Sequence, residues 1–179
     1  ALTITGTNVY YGGETNASGS NGGKISANAK KMLVLNSSIV AKGLQENGGN
    51  LMVVSEDVLL STTQTNVNMS GSINGGSIKL HADSHNLVAG TFKADGGSGQ
   101  GGNLDFAGQN VGLSAADISA KGSSQGGKVR IGGEYLGGKL LPSTTKRESN
   151  GFIGRFAKQN KITNASSINF FIIIITIRI

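Results

Sequence analysis

The chain has 179 residues, among them 29 glycines, one proline, no tryptophan and no cysteine. This inventory excludes disulfides, thiolate catalysis and cysteine-based zinc sites. It also holds too many turn formers and too few large side chains for long helices or a thick globular core. The formal charge of +6 is unevenly placed, with ten Lys and Arg against nine Asp and Glu in residues 1–139 but six against one in 140–179. The body is nearly neutral, so it does not read as a binder of nucleic acid or other polyanions.

The chain opens Ala1-Leu2-Thr3 with no basic or apolar leader, so no secretory signal lies within it. Processing or fragmentation is expected to have removed the start. A glycine pair then recurs as Gly22-Gly23, Gly48-Gly49, Gly75-Gly76, Gly101-Gly102 and Gly126-Gly127, in steps of 26, 27, 26 and 25 residues. A fixed period in this range predicts a solenoid, each repeat stacking on its neighbours.

After each pair, apolar residues alternate at the second, fourth and sixth positions: Ile25, Ala27, Ala29; Leu51, Val53, Ser55; Ile78, Leu80, Ala82; Leu104, Phe106, Gly108; Val129, Ile131, Gly133. Such alternation predicts a strand with this face inward and Lys24, Lys79 or Arg130 outside. A second strand is expected at positions nine and eleven, with Met32 and Val34, Val58 and Leu60, Val111 and Leu113 inward. A third is expected in Ile39-Val40-Ala41, Phe92-Lys93-Ala94 and Ile118-Ser119-Ala120, before Gly43, Gly96 or Gly122 opens the return. The pattern predicts an all-β parallel β-helix of about 26 residues and three short strands per coil, with glycine corners taking positive φ. About six coils at about 4.8 Å each would make a rod on the order of 30 Å long. Neither end shows a cap, which predicts a piece of a longer rod or a tendency to associate.

The run Gly126-Gly127-Lys128-Val129-Arg130-Ile131-Gly132-Gly133-Glu134-Tyr135-Leu136-Gly137-Gly138, together with Gly101-Gly102-Asn103-Leu104-Asp105-Phe106 and Ile118-Ser119-Ala120-Lys121-Gly122, resembles the filamentous haemagglutinin family of bacterial exoproteins. The resemblance spans residues 1–145. It implies a right-handed parallel β-helix, secreted with the help of an outer-membrane transporter by the two-partner route. It also implies a role in adhesion to host cells or in contact-dependent competition. The family's Asn-Pro secretion motifs are absent, the single proline being Pro142.

Residues 146–179 form a divergent tail that is partly a further coil, in Phe152-Ile153-Gly154 and in Ile162 to Asn169. Where a sixth glycine pair would stand, the chain reads Phe170-Phe171-Ile172-Ile173-Ile174-Ile175-Thr176-Ile177-Arg178-Ile179, a break expected of a frameshifted or truncated reading frame. At about ten residues the run is shorter than the about 20 of a membrane-spanning helix. It reads as a sticky final strand.

Five features resemble chemical sites. Lys30, Glu56, Asp83, Gln109 and Glu134 form one column, in which Glu56 and Asp83 would lie about 4.8 Å apart on adjacent coils. No third carboxylate joins these two and Lys30 adjoins them, so the column reads as a solvated polar corner. His81, Asp83 and His85 would share a face only on a straight strand; the corner interrupts it, and His85 is expected in an inner column, partly buried. Asp95-Gly96-Gly97-Ser98-Gly99-Gln100-Gly101-Gly102 lacks the Lys-Ser/Thr of a phosphate loop and the Asp of a calcium nonapeptide, so it reads as a flexible loop. The threonines in Leu2-Thr3-Ile4-Thr5 and Ser61-Thr62-Thr63-Gln64-Thr65 do not recur coil after coil, as an ice-binding face requires. Asn16, Asn36, Asn68 and Asn164 begin glycosylation sequons.

The expected protein is thus a segment of a secreted or cell-surface adhesin with no catalytic, cofactor or metal residues and no transmembrane helix. Its expected partners are host-cell glycans or receptors, or neighbouring bacteria, met through loops at residues 43–47, 61–72 and 95–100. The alternatives are a polysaccharide-active β-helix enzyme and a passive stalk of a toxin exoprotein.

Overall fold

The computed structural model describes residues 1–132, 161–163 and 165–170. Among these it is all β, in parallel coils stacked as a β-solenoid of about five turns with a period of about 26 residues. The strands are β1 (Leu2–Asn16), β2 (Lys24–Val40), β3 (Asn50–Ser55), β4 (Val58–Ser61), β5 (Asn66–Asn68), β6 (Ser77–Lys93), β7 (Asn103–Ser119), β8 (Gly127–Ile131), β9 (Lys161–Thr163) and β10 (Ala165–Phe170). The third coil shows the three sides as separate strands, β3, β4 and β5, each paired in parallel with a segment of β2 on one side and of β6 on the other. In β1, β2, β6 and β7 the strand runs through its corners without a break.

The inner columns of the first and third sides stand where the alternation puts them. Ile25, Leu51, Ile78, Leu104 and Val129 are buried in register, as are Ala27, Val53, Leu80, Phe106 and Ile131, and on the third side Ile39, Val67, Phe92 and Ile118. Gly133 lies outside the described residues.

The second side differs from its expectation by one residue. In the second coil Leu33 and Leu35 point inward and Met32 and Val34 outward; in the third, Leu59 and Ser61 are inward and Val58 and Leu60 outward. Only the fifth coil has Val111 and Leu113 inside. The cause is the first corner, which takes two residues in coils two to four (Lys30-Lys31, Glu56-Asp57, Asp83-Ser84) but Gln109 alone in coil five.

The glycine pairs also serve a different physical end. Among the described residues only Gly13, Gly90 and Gly132 are glycines of positive φ, and none belongs to the five recurring pairs. The pairs are required by crowding: a Cβ on Gly76 would stand 2.0 Å from the carbonyl oxygen of Gly49 in the coil below, and one on Gly75 2.0 Å from that of Ala94. The corner is pressed against its own third side and against the adjacent pair, so only a hydrogen fits.

From the tail, β9 pairs with Asp117–Ser119 of β7 and β10 with β8, Ile168 opposite Val129. Phe152-Ile153-Gly154, Glu134 and residues 171–179 lie outside the described residues.

Candidate functional site

Outward positions of the first side carry the densest chemistry. Parallel register sets Met52, Lys79, Asp105 and Arg130 side by side on successive coils, because each occupies the same offset from its glycine pair. Arg130 grips Asp105 with both prongs of its guanidinium, Nε to Oδ1 at 2.8 Å and Nη2 to Oδ2 at 2.7 Å. This fork geometry is the strongest arrangement for such a pair. Two positions further along the strand, in the next outward column, His81 is only 4% exposed and brings Nε2 to 3.9 Å from Asp105 Oδ2. That distance is too long for a hydrogen bond, and Nε2 makes none. Burial pushes the His81 pKa below its ordinary value; Asp105 opposes the shift, Arg130 and Lys79 reinforce it, and Asp83 opposes it weakly. The imidazole is therefore held neutral beside a carboxylate already committed to Arg130.

At the first corner Glu56 is exposed and Asp83 buried, though the register makes them neighbours. The corner separates His81, Asp83 and His85 as expected, since register slips between Ala82 and His85. His85 itself departs from expectation. It is exposed and outward, in line with Val58, and Asn86 takes the inner place beside Leu59 and Val111. Asn86 is tolerated there because its amide donates to the carbonyls of Leu80 (2.7 Å) and Ala107 (3.0 Å) at the tight corner. Among the described residues no group of three or more His, Asp or Glu is placed to hold a metal ion.

The third corner is a polar ladder. Asn74 Nδ2 donates to Asn47 Oδ1 at 2.8 Å, the Gln100 backbone N–H to Asn74 Oδ1 at 2.9 Å, and the Asn47 backbone N–H to Asn21 Oδ1 at 3.2 Å. The 95–100 loop belongs to it: the amides of Gly97, Ser98 and Gly99 bond to the coil below, while Asp95 Oδ1 accepts from Ser119 Oγ (2.6 Å) and the Lys121 amide (2.7 Å). The loop is tied rung by rung rather than free. Above it a depression of about 340 Å³ is lined by Gln100, Asn103, Gln125 and Lys128 with the adjoining glycines. At the second corner Thr62 to Thr65 make coil three longer, and buried Thr65 bonds to the Leu35 carbonyl at 2.7 Å. The loop regions 43–47 and 61–72 thus mix exposed residues such as Leu44 and Thr63 with paired strand in β5.

The Asp105–Arg130 pair escaped the sequence reading, although both residues sit three places beyond a glycine pair and so must face the same way. Burial of His81 had no such signal. No family model matches the chain, and no curated protein or solved structure matches it.

Proposed function

We propose that this chain is a segment of a secreted or surface-exposed bacterial adhesin of the haemagglutinin type, a β-solenoid rod that attaches to host cells or to other bacteria. The observation that carries the reading is the division of labour between inside and outside. Apolar columns of near-constant register fill the interior, while the third corner presents a stack of Asn, Gln and Ser side chains whose lengths vary from coil to coil. Amides on a stiff frame are suited to the hydroxyls of glycans, and the Gln100–Lys128 depression is a concave place to receive one. Two-partner secretion across the outer membrane belongs to the same proposal.

The test is binding of the purified chain to cell surfaces and to arrayed glycans, with Gln100→Ala and Lys128→Ala expected to weaken it. Absence of binding to either surface rejects the reading in favour of a passive stalk. A second reading, a polysaccharide-active enzyme, is favoured by buried Asp83 beside Glu56. It requires cleavage of a polysaccharide that Asp83→Asn or Glu56→Gln abolishes.

A further inference from the structure

The second side of the solenoid has an outer face that is apolar as well as an inner one. Register aligns Tyr10, Val34, Leu60 and Leu87 in one outward column and Asn8, Met32, Val58 and His85 in the next, over coils one to four. Tyr10 is 67% exposed, Leu87 43% and Met32 42%. A contiguous apolar patch on a sheet exterior is a contact surface. Strands with both faces apolar are those covered on both sides.

The charges beside this face say what covers it. At the corner where the second side begins, coil two carries Lys30-Lys31 and coil three Glu56-Asp57, all four exposed. Among the described residues none of the four is in an ion pair within 4.0 Å. Two positive charges on one coil and two negative on the next form a pattern complementary to itself.

We propose that two copies of this chain associate face to face through their second sides, about a two-fold axis parallel to the strands and passing between coils two and three. The axis reverses coil order and preserves strand direction. Lys30-Lys31 of each copy then meets Glu56-Asp57 of the other, Met32 and Val34 lie over the partner's Val58 and the partner's Leu60, and Tyr10 lies over the partner's Leu87. Thr7 meets the partner's Asp83 corner, so no like charges meet. Moving the same axis onto coil two would oppose lysine to lysine and is disfavoured. The match of coil spacing is automatic, since both faces repeat at about 4.8 Å.

Four coils and a strand of about 13 Å make a face on the order of 250 Å² per copy, well below the roughly 1,200 Å² total of a stable interface. The association is therefore weak.

Sedimentation of the full chain from roughly 10 μM to 1 mM, the range suited to so small a contact, reads it. The wild type is expected to move from monomer towards dimer. Lys30→Glu with Lys31→Glu, and separately Glu56→Lys with Asp57→Lys, each weaken self-association about tenfold or more. An equal mixture of the two variants associates again, because every facing pair is then opposite in sign. Leu87→Glu also abolishes the dimer, and Leu87→Ser serves if the first variant loses its β-sheet circular dichroism. A wild type monomeric throughout, reversal variants that associate unchanged, a mixture that stays monomeric, or indifference to both Leu87 changes would each overturn the proposal.

Discussion

Phe92 and Phe106 meet edge to face inside the solenoid, with ring centroids 5.3 Å apart and planes at 74°. Phe92 comes from the third side of coil four and Phe106 from the first side of coil five, so one contact joins two sides and two coils. Both are fully buried. Phe106→Ala is expected to cost about 3–5 kcal/mol in urea unfolding. A double-mutant cycle with leucine at both positions should leave a coupling of about 0.5–1.5 kcal/mol, the part belonging to ring geometry rather than to buried area. Zero coupling would reduce the pair to ordinary packing.

Gly76 and Gly13 separate crowding from conformation. A Cβ on Gly76 would lie 2.0 Å from the Gly49 carbonyl oxygen, and backbone pressed on backbone cannot move aside. Gly13 has φ of 79° but open space around its Cβ position. Gly76→Ala should therefore cost about 3 kcal/mol or more, and Gly13→Ala about 1–2 kcal/mol, the strain of the left-handed region. Equal losses would contradict crowding as the reason for the pairs.

Ser61 closes the second corner from within. Its hydroxyl donates to the Ala89 carbonyl at 3.0 Å and accepts from the Ala89 amide at 2.8 Å, in a buried setting. Ser61→Ala leaves both backbone groups without that partner and should cost about 1–3 kcal/mol. Faster hydrogen exchange at the Ala89 amide, with Leu80 unchanged, would locate the loss.

The solenoid was legible because coil length varies so little: glycine pairs set a common origin, and residues at equal offset such as Leu51, Ile78 and Leu104 had to stack. The same count failed one corner later. Lys30-Lys31 and Gln109 turn that corner with different numbers of residues, and Met32-Leu33-Val34-Leu35 is apolar on both faces, so alternation could not say which face is inner. Its ambiguity had a physical source, the outward apolar column running through Val34 and Leu60. His85 was misplaced by the same slip. At the first side, the pairing of Asp105 with Arg130 followed from offset alone, whereas the burial of His81 depends on how its neighbours lie and has no period to reveal it.

His81 gives the chain a predicted pH response. Its folded pKa lies below the ordinary 6.5 because burial disfavours the imidazolium. Below that value the unfolded chain binds a proton that the folded chain refuses, so unfolded protein is favoured as pH falls. Stability should therefore decline from about pH 6.5 downward until the folded pKa is reached, with a slope of at most about 1.4 kcal/mol per pH unit for one proton. Above pH 7 this contribution is flat. His85, exposed on the second side, supplies the control: His81→Gln should flatten the slope in urea unfolding and His85→Gln should leave it. A slope that survives His81→Gln would show that the imidazole is not held neutral by its burial beside the Asp105–Arg130 pair.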